Sequence, residues 1–180
     1  GAQNWADNLA IHEYRHAQQY NNFNIGLSGV MGVLFGQNGR ALANATAIPD
    51  WFFEGDAVYN ETLLSEQGRG RLPHFFNAYK SLYFEGKRYG YMQLRNGSYK
   101  NYIPNHYDLG YLLVAYGYEQ YGNDFWKNVT TQAASFRSIV YPLQHAIKKK
   151  TGLGYKQFVN DAFDFYQEKA YLFLKIKDNN

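Results

Sequence analysis

Residues 5–22 read WADNLAIHEYRHAQQYNN. Trp5, Leu9, His12, His16 and Tyr20 recur every three or four residues, the period of one helical face, and predict a single helix over 5–22. The next stretch has a different character. Gly26, Gly29, Gly32, Gly36 and Gly39 punctuate a small apolar run, Val30 to Phe35, and glycine at that density predicts a loop with one short helix or a hairpin over 23–47. Ile48-Pro49-Asp50 is a helix start, with Pro suited to the first turn and Asp to the cap, and 50–66 reads as helix. After the loop Gly68-Arg69-Gly70-Arg71, Pro73 opens a helix to about Glu85 that Gly86 stops. Residues 87–103 are Tyr-rich and carry Asn96-Gly97, a hairpin turn signal. Four more helices are predicted: Asn105 to Tyr121, Asn123 or Asp124 to Ala134, Tyr141 to Thr151, and Tyr155 to about Phe173. The expected fold is mainly α, with at most one small β hairpin.

Composition narrows the function classes. The 180 residues suit one domain, 1–180, and the hydrophobic fraction of 46% provides a packed core. Rings dominate it: 18 Tyr, 13 Phe and 3 Trp. A net charge of +3, dispersed along the chain, argues against a nucleic-acid partner, which requires a basic stripe. No apolar run is long enough for a transmembrane segment. With Cys 0, thiol catalysis, disulfides and Cys-ligated metals are excluded, so any metal is held by His, Asp or Glu. The Gly-Ala-Gln start reads as a piece of a longer protein or a processed form.

Within the first helix, His12-Glu13-Tyr14-Arg15-His16 is H-E-x-x-H. Four residues exceed one turn slightly, so the two imidazoles emerge about 40° apart on one face. So placed they can grip one Zn²⁺, while Glu13, offset by about 100°, reaches a water rather than the metal and suits a general base. A third ligand must come from elsewhere. Glu54 lies among Trp51, Phe52, Phe53, Ala57 and Val58, where a carboxylate is costly to bury unless a metal or a histidine pairs with it. Glu61, seven residues on, shares its helical face and can accept a hydrogen bond from a ligand imidazole.

H-E-x-x-H followed by W-F-x-E-G-x-A-x-Y-x-E (residues 51–61) resembles the gluzincin zinc metallopeptidases, the branch that includes aminopeptidase N. The resemblance covers roughly residues 5–170. It implies the helical half of a thermolysin-like domain and one Zn²⁺ per chain, with His12, His16 and Glu54 as ligands and Glu13 as the base. Tyr107-Asp108-Leu109-Gly110 resembles the family's Y-E-K-G step and so implies Tyr107 as oxyanion stabiliser, with Tyr102, Tyr111 and His106 near enough in sequence to replace it. The substrate implied is a peptide or protein. The pattern is also similar to peptidase-like regions of larger bacterial envelope proteins, which implies a periplasmic, cell-surface or secreted setting and packing against other domains of a parent protein. This chain departs from the family in three ways. The stretch between His16 and Glu54 is longer, Asp56 stands where the family has an aromatic or small residue, and the upstream β-sheet region with its amine-anchoring motif is missing.

Arg69 and Arg71 are candidates for gripping a substrate carboxylate or backbone; the other reading is a solvated basic turn. His106 is a candidate second stabiliser, or an exposed loop histidine. His74 and His145 stand alone and read as surface or cap residues. Lys148-Lys149-Lys150 complements a helix C-terminus. Against the hydrolase stands a non-catalytic, zinc-containing helical scaffold or binding module of a cell-envelope protein.

Overall fold

The computed structural model describes residues 5–66, 68–72 and 74–177. Among them are nine α-helices and no strand. In chain order these are α1 (Trp5–Asn22), α2 (Gly26–Ala47), α3 (Asp50–Leu64), α4 (Asn77–Phe84), α5 (Tyr91–Asn96), α6 (His106–Tyr121), α7 (Phe125–Ala134), α8 (Pro142–Thr151) and α9 (Tyr155–Lys177), with a single 3₁₀ turn at Arg69–Arg71 before α4. The chain is mainly α, as its periodicity indicates, and no helix among the described residues is long and apolar enough to cross a membrane.

Three local expectations are corrected. Within the glycine-rich 23–47, Gly26–Ala47 is helical rather than a loop or hairpin, and it kinks at Gly36 (φ 66°). Each glycine weakens a helix by about 1 kcal/mol relative to alanine, but docking offsets this, because the small face of α2 buries Ser28, Gly39, Ala43, Asn44 and Ala47. The bend folds the two halves together so tightly that a Cβ on Gly39 would lie 2.5 Å from the Met31 carbonyl oxygen. Asn96-Gly97 makes no hairpin: Gly97 (φ 77°) ends α5, since a positive-φ residue closes a helix as readily as it turns a hairpin. The fourth helix begins at Asn77, after a turn over 74–76, and not where Pro73 would open it; Pro73 itself lies outside the described residues. Elsewhere the stop signals act as read. Asn105 Oδ1 caps α6 by accepting from the amides of Tyr107 (2.9 Å) and Asp108 (3.1 Å), and Gly122 and Gly152 end α6 and α8 at positive φ.

The core lies around Trp51, Phe52, Leu113, Val114, Trp126, Val129, Ile147 and Phe158, all at most 2% exposed. Trp126 packs edge-on to Trp51 at 6.1 Å between ring centroids and donates its indole N–H to the Val114 carbonyl at 2.8 Å. The crossing that positions the site is α3 on α6. Gly55 and Gly110 meet there backbone to backbone: a Cβ on Gly110 would stand 1.9 Å from the Trp51 carbonyl oxygen, and one on Gly55 would stand 2.1 Å from the Gly110 carbonyl carbon. Neither neighbour is a side chain that can swing away. Gly110→Ala is therefore expected to destabilise the protein by about 3 kcal/mol or more, the upper end for overpacking, read as a fall in denaturation midpoint. An alanine tolerated without loss would show that the crossing is looser than this. Glu54 precedes Gly55, and Tyr107 lies one helical turn before Gly110, so this close approach brings the two toward each other.

Candidate metal centre

His12 and His16 leave α1 on the same side, one turn apart, and Glu54 comes to them from α3. His12 Nε2 is 3.1 Å from Glu54 Oε2, His16 Nε2 is 3.2 Å from His12 Nε2, and His16 Nε2 is 3.6 Å from Glu54 Oε2. Tetrahedral zinc with bonds of ~2.0–2.1 Å sets its ligand atoms about 3.3–3.4 Å apart. The triangle here therefore has the size and the N, N, O donor set that such an ion takes. His12, His16 and Glu54 form a group suited to a metal ion among the described residues. His12 is buried, whereas His16 and Glu54 are half-buried, so the cluster keeps a side toward solvent.

The electrostatics fit a site built for positive charge. Burial acts to raise the Glu54 carboxyl, but hydrogen bonds from His12 and His16 outweigh it and hold Glu54 well below the usual carboxylate range. Burial acts to lower His12, but the hydrogen bonds to Glu54 and Glu61 prevail and raise it from 6.5 to about 9. His16 is raised, chiefly through its hydrogen bond to Glu54 against the opposing effect of burial. Two imidazoles and a carboxylate packed this closely need a proton or a cation between them.

Further hydrogen-bonded groups stand behind the three candidate ligands. Glu61, 2% exposed, accepts from Arg69 at three points, each 2.9 Å: the backbone N–H, Nε and Nη2. Burial acts to raise Glu61, but His12 and Arg69 together pull it down to about 2. Glu61 does reach toward His12, at 3.4 Å from Oε2 to Nδ1, but Arg69 shares that position and Nη2 donates to Nδ1 at 2.8 Å. In the neutral imidazole, with Nδ1 accepting from Arg69, the single His12 proton lies on Nε2 and points at Glu54.

Arg69 is thus tied to Glu61 and His12 rather than standing on a wholly solvated turn, although its side chain remains 38% exposed. Its guanidinium also lies 5.3 Å from the centre of the Tyr107 ring. Arg71 donates through Nε to the Thr62 and Ser65 carbonyls, both at 3.1 Å, and so closes the C-terminal end of α3.

Tyr107 packs beside His12, with ring centroids 6.4 Å apart, and is half-buried. Its pKa is raised by burial, then by the Glu54 carboxylate, with a further contribution from Glu13. The phenol therefore stays protonated and able to donate, and the Glu13 carboxylate is close enough to act on it. Glu13 is exposed and stands outside the ligand triangle. His106 stacks on Tyr107 with centroids 4.5 Å apart. Tyr111 is directed instead onto Tyr59, Phe75 and Phe76. Tyr102 is 70% exposed and lines a cavity with Asn77, Lys87 and Lys100.

Asp56, which the sequence marks only as a departure from the family pattern, is part of the most buried polar network. It is 2% exposed and accepts from Arg15 Nε at 2.8 Å, Arg15 Nη2 at 3.1 Å and Gln19 Nε2 at 2.7 Å. Gln19 in turn contacts His16 Nδ1 at 2.9 Å. A legible signal was present. A carboxylate between Trp51, Phe52, Ala57 and Val58 needs a cation, and Arg15 lies on the helix already known to face it.

A scan against protein-family models, a search of curated proteins and a search of solved structures each found no match.

Proposed function

We propose that this chain carries the catalytic centre of a zinc-dependent hydrolase of the metallopeptidase type, acting on peptide bonds. The observation that carries the reading is the convergence of His12 Nε2, His16 Nε2 and Glu54 Oε2 on one partly solvent-facing point, beside the Glu13 that follows the first ligand. Three protein ligands leave a fourth position for water, which separates catalytic from structural zinc. Zinc held there would supply Lewis acidity, polarising a carbonyl and acidifying water.

The rest is the work of this chain's own groups. Glu13 accepts the proton from the attacking water and delivers it to the leaving amine. Tyr107 donates a hydrogen bond to the carbonyl oxygen as charge develops on it. Glu61 with Arg69 restrains His12, and Gln19 restrains His16, so the ligands are oriented before the ion arrives.

One observation favours the second reading, a zinc-containing helical scaffold without catalysis: Glu13 is exposed and stands outside the ligand triangle. Metal titration tests what the two readings share, since wild-type protein should take up about one zinc per chain. Replacement of Glu13, taken up in the Discussion, separates them.

The pH dependence of uptake has a definite sign. Zinc requires the Nε2 lone pair of His12, and without metal that histidine stays protonated up to about 9. Affinity should rise with pH and level off near 9, and binding at neutral pH should release protons, measurable by calorimetry in buffers of different ionisation enthalpy. Uptake with no proton release would contradict the assignment of His12 as a ligand. The stability of the metal-free protein follows the same shifts. His12, raised from 6.5 to about 9, contributes fully below 6.5 and loses that contribution as pH rises through 9. Glu61, lowered from 4.5 to about 2, contributes above 4.5 and loses that contribution as pH falls through 2.

A further inference from the structure

Gln19 is 2% exposed, and its amide has no freedom in which way it faces. One end meets two acceptors, the Phe53 carbonyl at 3.1 Å and Asp56 Oδ2 at 2.7 Å. A backbone carbonyl has no proton to give, and Asp56, clasped by Arg15 through two hydrogen bonds, is a carboxylate that only accepts. That end of Gln19 must therefore be the NH₂, which leaves the carbonyl oxygen 2.9 Å from His16 Nδ1. Two acceptors cannot face each other at that distance, so Nδ1 must carry hydrogen.

We infer that the chain Arg15–Asp56–Gln19 is a positioning device that fixes His16 as the Nδ1–H tautomer and leaves its Nε2 lone pair directed at the point shared with His12 and Glu54. Each link takes its polarity from the one before it: the cation sets the carboxylate as acceptor, the carboxylate sets the amide, and the amide sets the imidazole. His12 has no such preset, because Arg69 donates to its Nδ1 and its proton sits on Nε2. The two histidines are therefore unequal. In their neutral forms, His16 presents its Nε2 lone pair to the shared point, whereas His12 must still give up the proton on its Nε2. The tautomer assignment stands on hydrogen-bond polarity alone; its consequence for zinc rests on the function proposed above.

The experiment is a long-range ¹H–¹⁵N spectrum of the full, metal-free chain at alkaline pH, with a titration using Zn²⁺ alone. Wild type should show His16 with a protonated Nδ1 and a bare Nε2. Gln19→Leu, similar in volume but unable to accept, should lose that pattern and bind Zn²⁺ about 10–100-fold more weakly, the usual effect of losing a group behind a ligand. A wild-type His16 protonated on Nε2, or a folded Gln19→Leu that binds Zn²⁺ as wild type does, overturns the inference. Should Gln19→Leu not fold, the wild-type spectrum decides by itself. A wild type with the expected tautomer but no zinc uptake would remove the metal reading and leave the tautomer assignment standing.

Discussion

Glu54→Ala should leave a protein that no longer retains zinc through dialysis. Glu54 is the only anion in the ligand triangle and touches both imidazoles, at 3.1 and 3.6 Å. Losing a ligand must weaken binding by more than the ~10–100-fold that follows loss of a supporting group, and two neutral imidazoles alone do not satisfy an ion that prefers four ligands. The same substitution removes the largest influence that raises His12 and His16, so both should titrate lower by NMR in the metal-free variant. That gives a readout independent of metal and shows whether the variant is folded. If Glu54→Ala binds zinc as tightly as wild type, the third ligand lies elsewhere and the proposed centre is wrong. Lost zinc with unmoved histidine titrations would mean that the variant has rearranged rather than lost one ligand.

Glu13→Gln separates an enzyme from a zinc-stapled scaffold. The substitution keeps size and polarity but removes the ability to take a proton. Glu13 is exposed and outside the triangle, so zinc affinity and denaturation midpoint should stay at wild-type values while hydrolysis of a peptide falls by about 10²–10⁴, the usual contribution of a general base. Equal hydrolysis by wild type and variant would remove Glu13 from the chemistry. Loss of zinc in the variant would make Glu13 a structural residue instead. The exposure of Glu13 suits a group that must meet water and substrate, as the burial of Glu61 suits a group that must hold a ligand still.

The legible and illegible parts of the fold differ by range. Caps and stops act within a few residues, and Asn105, Gly122 and Gly152 behave as their chemistry predicts. Gly97 reads as a turn in the sequence and ends a helix in the structure, because positive φ is shared by both outcomes and only the neighbouring segments choose between them. The glycine-rich α2 reads as a loop in the sequence for a related reason. Glycine lowers helix propensity locally, but it also lets backbones approach closely, as Gly39 does against Met31, and that gain appears only when the partner is in place. In the candidate site, the clustering of His12, His16 and Glu54 is legible because H-E-x-x-H and a carboxylate among apolar residues are each odd enough to require a partner. Arg69 is not, because a Gly-Arg-Gly-Arg loop reads as solvent-facing until Glu61 is seen buried beneath it.

Helical periodicity, the spacing of His12 and His16 and the isolation of Glu54 among rings are properties of the chain itself, and they determine a mainly α protein with three potential metal ligands. Contact between those three groups is decided by the packing of α1 on α3, held by the Arg15–Asp56–Gln19 link, and the approach of Tyr107 to them by the α3–α6 crossing at Gly55 and Gly110. So is the direction of each imidazole proton, since a hydrogen bond's polarity depends on every neighbour at once, and those neighbours come from helices far apart in the chain.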